Sequence, residues 1–170
     1  LKELGDNPRG VNPSNVRTIF QAVHCLESQQ QHGATASGEA EPSFKILAVD
    51  DEPGIRGLVQ RSLALAGLTP DSAKDSSEAL EFARKQRYDL FILDVNMPGL
   101  SGFELCEKLR ASATYRKTPV IFVTGSDNFE SRVRSAGSGG NDFIGKPFLP
   151  KELAVKALIH LLAGASEPKS

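Results

Sequence analysis

The chain has 170 residues, of which 39% are hydrophobic and 24% charged, and its net charge is −1 at pH 7. A chain of this length can bury the core of one domain but is short for two ordinary domains. The near-zero net charge argues against a generally basic surface for nucleic acid. No apolar run in the sequence approaches the roughly 18 residues that cross a membrane, and no signal-peptide pattern opens the chain. The composition therefore predicts a folded globular protein whose partners are neither nucleic acid nor a membrane.

The cysteines and the chain ends carry further expectations. Cys25 and Cys106 are far apart in sequence and form neither a disulfide framework nor a metal-ligand cluster. Each is expected to be a small buried thiol in a reducing compartment, which indicates the cytoplasm. The chain begins at Leu1 and its single methionine is Met97, so we expect it to be a piece of a longer protein. No DNA-binding or enzymatic output domain is expected after Lys146.

The first 43 residues differ in pattern from the rest. Within residues 1–27, apolar residues recur at steps of three and four after Pro13 and predict one amphipathic helix. Residues 28–43 are small, polar and without period, which predicts a flexible linker. We expect residues 1–27 to be an N-terminal helical extension or the remnant of an upstream domain, and residues 44–165 to form the main domain.

From Phe44 onward, strand-like and helix-like segments alternate. Continuous apolar runs are typical of strands covered on both faces, as in a parallel sheet, and they occupy residues 44–49, 90–93, 120–123 and 143–144. A further strand is predicted over residues 68–73. Pro70 lies inside it and lacks the N–H that a central strand needs, so this strand is expected at an edge of the sheet.

Five helices are predicted around these strands. Pro53 suits the first turn of the first helix, and capping boxes that begin at Asp75 and Ser101 open the second and third. Ser126 opens the fourth and Pro150 the fifth. Five strands alternating with five helices predict a doubly wound (βα)5 flavodoxin-like α/β sandwich, with a parallel five-stranded sheet of order 2-1-3-4-5.

Polar residues follow these strands at the edge where a doubly wound sheet binds its ligands. Asp50 and Asp51 follow the first strand and Asp94 follows the third, which is its neighbour in the predicted order. Three close carboxylates need a compensating cation, and hard oxygen ligands suit Mg²⁺. One aspartate there could accept a phosphoryl group, with Lys146 as a second cation and Thr124 as a hydroxyl donor.

Residues 44–163 resemble the receiver domain of two-component response regulators. The resemblance is carried by the acidic pair at residues 50–51, by Thr124, by Lys146-Pro147, and by the segment Asp94-Val95-Asn96-Met97-Pro98-Gly99-Leu100-Ser101-Gly102. It implies that Asp94 is the phosphoacceptor and that Lys146 pairs with the phosphoryl group. It also implies that Mg²⁺ is bound by Asp51 and Asp94 directly, by Asp50 directly or through water, and by the backbone carbonyl of Asn96.

The resemblance further implies a switch. Thr124 and Phe143 would move inward on phosphorylation and change the face made by helix four, strand five and helix five. The Lys146–Pro147 bond would be cis. The phosphate donor would be a sensor histidine kinase or a histidine phosphotransfer protein, and a homodimer on the switch face is one route of output. We expect Mg²⁺-dependent self-phosphorylation and autodephosphorylation at Asp94. The protein would then act mainly as a signalling switch rather than as an enzyme that turns over a substrate.

Two other classes of function stay open on this fold. A phosphorylation-independent, receiver-like scaffold would use the same face without the chemistry. A flavin- or nucleotide-binding protein is disfavoured because no glycine-rich phosphate loop follows the first strand. There, Asp51, Glu52 and Pro53 would repel a phosphate that lacks a metal.

Residues 1–27 weakly resemble the opening of a truncated histidine phosphotransfer domain, with His24 at the position of the phosphorylated histidine. Glu27 and Ser28 replace that family's lysine and glycine, and the other helices of its bundle are absent from the sequence. An interdomain helix or a degenerate remnant is therefore the preferred interpretation.

Overall fold

Strands and helices alternate along the described chain up to residue 125, as the apolar runs predict. The computed structural model describes residues 44–125 and 137–165. Its strands are β1 (Ile46–Val49), β2 (Asp71–Ala73), β3 (Leu90–Asp94), β4 (Val120–Thr124) and β5 (Asp142–Gly145). Its helices are α1 (Pro53–Ala64), α2 (Ser76–Lys85), α3 (Gly102–Ala111) and α4 (Pro150–Ala165). The helix predicted after Ser126, the N-terminal helix within residues 1–27 and the linker of residues 28–43 lie outside the described residues.

The five strands form one parallel sheet in the order β2-β1-β3-β4-β5, which confirms the predicted order. The register places Val49 beside Leu93 and Asp94 beside Val123. Since the strands are parallel and nearly level at these ends, the residues that follow β1, β3, β4 and β5 come together at one edge of the sheet.

The edge strand β2 is shorter than predicted. It pairs with β1 only from Asp71, opposite Leu47, to Ala73, whereas the predicted strand began at Leu68. Pro70 has no N–H to donate to the sheet, so pairing begins immediately after it. The prediction that Pro70 marks an edge strand is confirmed, because β2 has β1 as its single neighbour in the sheet order.

Alternate side chains of the strands pack on opposite faces of the sheet, as expected for a doubly wound fold. One buried cluster joins Leu47, Phe91 and Phe122 to residues of α2 and α3. The other joins strand residues such as Ile92 to Val59 of α1 and to residues of α4. The fixed helix positions determine where the loops at the sheet edge emerge.

Local capping explains where α2 and α3 begin. Ser101 and Glu104 form the predicted capping box at α3. At α2, the Asp75 carboxylate accepts from the Glu78 backbone N at 2.8 Å, but Glu78 Oε2 accepts from the backbone N of Lys74. The return bond of this box is therefore displaced by one residue from the predicted position.

Two sequence-based expectations concern burial and membranes. Cys106 is a free, buried cysteine, as predicted. Within residues 44–125 and 137–165, none of the helices combines the length and apolar character that a bilayer crossing requires.

Asp142 ties the start of β5 to α4, and it predicts an acid-dependent loss of stability. Its carboxylate accepts from Lys156 Nζ at 2.7 Å and lies 3.1 Å from His160 Nε2. Burial alone would raise the Asp142 pKa, but hydrogen bonds from His160, Lys156 and the Phe143 backbone outweigh it and hold the pKa well below the ordinary 3.8. The stabilisation is therefore complete above the unfolded-state pKa, and it declines as pH falls from that value through the lower folded-state pKa.

Replacement of Asp142 by asparagine should lower the free energy of unfolding at pH 7 by about 1 kcal/mol, discounted because the side chain is 27% exposed. The deficit relative to wild type should shrink when urea unfolding is repeated at about pH 3.5. The exposed Glu107→Gln variant is the control and should show little deficit at either pH. A deficit for Asp142→Asn that is equal at both pH values would contradict the assignment.

Candidate functional site

Three aspartates meet at the carboxyl edge of β1 and β3. One carboxylate oxygen from each of Asp50, Asp51 and Asp94 lies within 4.8 Å of the others. Asp50 and Asp94 are each 3% exposed, and Asp51 is half-buried. The structure therefore brings together the acidic residues that the sequence singled out, in a crevice where their like charges repel one another.

Lys146 supplies a positive charge to this crevice. It follows β5, is joined to Pro147 by a cis peptide bond, and its backbone N donates to the carbonyl of Thr124 at 2.6 Å. Its Nζ lies 2.8 Å from Asp50 Oδ2 and 3.1 Å from Asp94 Oδ1. Burial lowers the pKa of Lys146, but its hydrogen bond to Asp50 and the charge of Asp94 outweigh burial and raise the pKa overall, so the side chain stays charged.

The oxygens of Asp50 and Asp94 differ in their partners. Asp50 Oδ1 accepts from the backbone N of Glu52 at 2.8 Å and Oδ2 from Lys146 at 2.8 Å. Asp94 Oδ1 is buried and has no hydrogen-bond partner in the described part of the chain. Its contact with Lys146 has the distance of an ion pair without hydrogen-bond alignment. A buried carboxylate oxygen whose described contact is one ion pair can still accept a further ligand.

The environment of Asp94 makes its ionisation less favourable than that of an exposed aspartate. Burial raises the pKa of its carboxyl above the ordinary 3.8, the charge of Lys146 opposes this rise, and the charge of Asp50 adds to it. Asp94 Oδ1 and the adjacent Asp51 carboxylate offer hard oxygen ligands for a divalent cation such as Mg²⁺. The residues present thus fit the metal that the sequence predicts.

The other predicted site residues lie around this crevice. Asn96 follows β3, its side chain is exposed, and its Nδ2 lies 3.4 Å from Thr124 Oγ1. Thr124 ends β4 and is fully buried. Phe143 pairs with Phe122 on the neighbouring strand and packs, partly buried, against the α2–α3 side of the core. The metal, catalytic and switch roles assigned to these residues stay predictions.

Sequence reasoning did not single out Arg56. Its Nη1 donates to the backbone carbonyls of Asp50 at 2.7 Å and Asp51 at 3.0 Å. A basic residue in the first turns of the helix that follows an acidic pair was the available signal. Because its side-chain bonds go to backbone atoms, that signal alone does not reveal what Arg56 contacts.

Gly102 explains why the motif that begins at Asp94 ends in glycine. A Cβ added at Gly102 would lie 2.1 Å from the carbonyl oxygen of Asp94 and 3.1 Å from the Cα of Val95. The start of α3 therefore packs directly on the backbone of the central aspartate, and only glycine leaves that backbone undisturbed.

Replacement of Gly102 by alanine should destabilise the domain by about 3 kcal/mol, because the clash is with backbone rather than with a flexible side chain. Gly54→Ala is the matched control near the start of α1, where a Cβ meets nothing within 4 Å. The control should be neutral or gain up to about 1 kcal/mol from helix propensity. Urea unfolding measures both, and equal stabilities for the two variants would contradict the close packing.

The doubly wound sheet and its lysine-neutralised aspartate crevice define the class of receiver domains. The sequence profile of the response regulator receiver domain matches residues 46–158. The chain belongs to this family, as the sequence motifs predict.

Curated relatives agree with this assignment. The chain is 38% identical over 113 residues to the response regulator MprA of Mycobacterium leprae, covering 66% of this chain and 49% of that protein. It is 39% identical over 117 residues to the transcriptional regulatory protein ResD of Bacillus subtilis, covering 68% and 48%. The chain thus spans about half the length of these relatives.

Solved structures confirm the fold. The chemotaxis protein CheY4 of Vibrio cholerae is 37% identical with a TM-score of 0.64, and the match covers 69% of this chain and 98% of that one. The receiver domain of a signal transduction histidine kinase from Syntrophus aciditrophicus is 34% identical with a TM-score of 0.65, covering 75% and 96%.

Proposed function

We propose that this domain is the phosphoryl-accepting receiver of a two-component phosphorelay. Asp94 would take the phosphoryl group from a phosphohistidine of a sensor histidine kinase or a histidine phosphotransfer protein. The observation that carries the proposal is the buried Asp94 Oδ1, which accepts no hydrogen bond from the described residues and lies among two further aspartates and a lysine. Membership of the receiver family supports it.

The transfer is an in-line displacement at phosphorus. A carboxylate oxygen of Asp94 forms the new bond to phosphorus as the bond to the donor imidazole nitrogen breaks, and that nitrogen keeps the electron pair. Asp51, Asp94, the Asn96 carbonyl and, directly or through water, Asp50 would hold Mg²⁺, which offsets the charge of the phosphoryl oxygens. Hydrolysis of the resulting acyl phosphate by water would reset the switch.

Lys146 and Thr124 would serve the phosphoryl group once it is attached. Lys146 Nζ already lies 3.1 Å from Asp94 Oδ1, so a small movement away from Asp50 would pair it with a phosphoryl oxygen. Thr124 ends the strand next to β3, where its hydroxyl could donate to another phosphoryl oxygen. We assign these two residues to charge neutralisation and orientation rather than to proton transfer.

The output of the proposed switch is protein contact rather than nucleic-acid binding by this domain. Inward movement of Thr124 and Phe143 would alter the face that includes β5 and α4, and a partner or a second copy would read it. We also place the protein in the cytoplasm, with which the free Cys106 thiol agrees.

A Mg²⁺ titration followed by NMR separates this function from a phosphorylation-independent scaffold. The amide signals of Asp51 and its neighbours should shift saturably, and an Asp51→Asn variant should bind Mg²⁺ much more weakly because one direct ligand is lost. A wild-type protein without a saturable response would favour the scaffold and contradict the proposal.

A further inference from the structure

Arg56 donates hydrogen bonds to the backbone of the acidic turn, residues 50–52, at each of its three residues. Its Nη1 donates to the carbonyl oxygens of Asp50 and Asp51 at 2.7 and 3.0 Å, and its backbone N donates to the carbonyl of Glu52 at 3.1 Å. All three acceptors are backbone atoms. Arg56 therefore fixes the turn without occupying the carboxylate oxygens that would bind a cation.

The helix that carries Arg56 is itself fixed on the sheet. Val59 and Leu63 of α1 are 2% and 0% exposed and belong to the core on that face. Arg56 lines the same narrow crevice as Asp50 and Asp94. The guanidinium of Arg56 thus connects the packed helix α1 to the turn that carries Asp50 and Asp51.

The two cations near the crevice act in different ways. Lys146 contacts the carboxylates of Asp50 and Asp94 and so competes with a metal for their oxygens. Arg56 bonds to carbonyls and does not compete in this way. Its charge would still repel an incoming cation, whereas its hydrogen bonds would hold the ligands in place, and these two effects predict opposite results when Arg56 is removed.

We propose that Arg56 is a positioning residue for the Mg²⁺ site and that its hydrogen bonds outweigh its repulsion. By fixing the backbone of Asp50 and Asp51, it directs their carboxylates toward Asp94. The inference rests on the proposed Mg²⁺-dependent function and adds to it a residue outside the acidic set.

Two substitutions separate positioning from charge. Arg56→Lys keeps the charge but replaces the planar fork, and Arg56→Gln removes the charge as well. Both should weaken Mg²⁺ binding, measured by calorimetry on the full chain, by about 10–100-fold, the usual effect of losing a residue that orients metal ligands. If Arg56 acted through its charge alone, the Mg²⁺ affinity of Arg56→Lys would equal that of wild type and Arg56→Gln would bind Mg²⁺ more tightly. That result would overturn the proposal.

Arg61→Gln is the control, because Arg61 is an exposed residue in the last turn of the same helix. Its Mg²⁺ affinity should stay within about twofold of wild type. Thermal unfolding without Mg²⁺ identifies any variant that fails to fold. If Arg56→Gln fails to fold, the proposal is still tested by Arg56→Lys, which keeps an aliphatic stem and the charge.

Acetyl phosphate labelling distinguishes positioning from a general structural defect. The half-saturating Mg²⁺ concentration should rise in Arg56→Lys, while the labelling rate at saturating Mg²⁺ returns to that of wild type. A wild type that binds no Mg²⁺ would contradict the proposed function itself. A wild type that binds Mg²⁺, with Arg56 variants of equal affinity or with a lower rate even at saturation, would overturn the positioning role alone.

Discussion

Replacing Asp94 with asparagine should abolish labelling of the protein by acetyl phosphate in the presence of Mg²⁺. The amide oxygen of asparagine is a poor nucleophile and cannot form the acyl phosphate, and the amide also removes one direct metal ligand. We do not expect Asp50 to replace Asp94, since both oxygens of Asp50 are already engaged by Glu52 and Lys146. Intact mass spectrometry measures the label, and equal labelling of variant and wild type would contradict the assignment.

The same variant should be at least as stable as wild type without Mg²⁺, which separates lost chemistry from lost structure. Burial raises the pKa of Asp94 above its ordinary 3.8. A carboxyl whose pKa is raised by folding costs stability once pH rises through that value, so ionised Asp94 is unfavourable at pH 7. Asparagine removes this cost and one of three like charges. A thermal midpoint well below that of wild type would show that lost labelling reflects misfolding.

Replacing Lys146 with methionine should lower the free energy of unfolding by about 3 kcal/mol at pH 7, because two buried carboxylates then lose their shared cation. We expect the low end of the usual range, since the Lys146 side chain is 14% exposed and water can reach the crevice. Mg²⁺ should stabilise this variant more than it stabilises wild type, because Lys146 no longer competes for Asp50 and Asp94. Labelling by acetyl phosphate should also slow.

Lys85→Met is the matched control. Lys85 is 70% exposed and lies 4.0 Å from Glu81 across one turn of α2, and such surface pairs contribute about 0–1 kcal/mol. Urea unfolding with and without Mg²⁺ compares the two variants. Equal losses of stability, or a Lys146→Met variant that Mg²⁺ does not restore, would contradict the role of Lys146 as the resident counter-ion.

Strand positions were predictable because apolar runs mark the strands, and the sheet order was predictable because one proline marks the edge strand. The apolar runs that form β1, β3 and β4 are buried on both faces. Burial on both faces requires consecutive apolar residues, so the sequence shows it directly. The start of β2 was predicted three residues early because Pro70 is apolar, so the sequence pattern continues through it although the hydrogen bonding does not.

The candidate site was predictable in its carboxylates but not in its backbone support. Parallel topology alone brings Asp50 and Asp94 to one edge once the strand order is known. The bonds from Arg56 to two carbonyls depend on the exact emergence of α1, which residue types do not specify. Lys146 was predicted to pair with a phosphoryl group, and in the structure its Nζ contacts the carboxylates of Asp50 and Asp94.

Mapping of the phosphoryl adduct on the wild-type protein tests the assignment of Asp94 as phosphoacceptor most directly. After incubation with acetyl phosphate, we predict a single adduct that forms with Mg²⁺, is absent with EDTA, and maps by peptide mass spectrometry to Asp94. No adduct in the presence of Mg²⁺, an adduct that forms equally well with EDTA, or one that maps to another residue would contradict the proposed function.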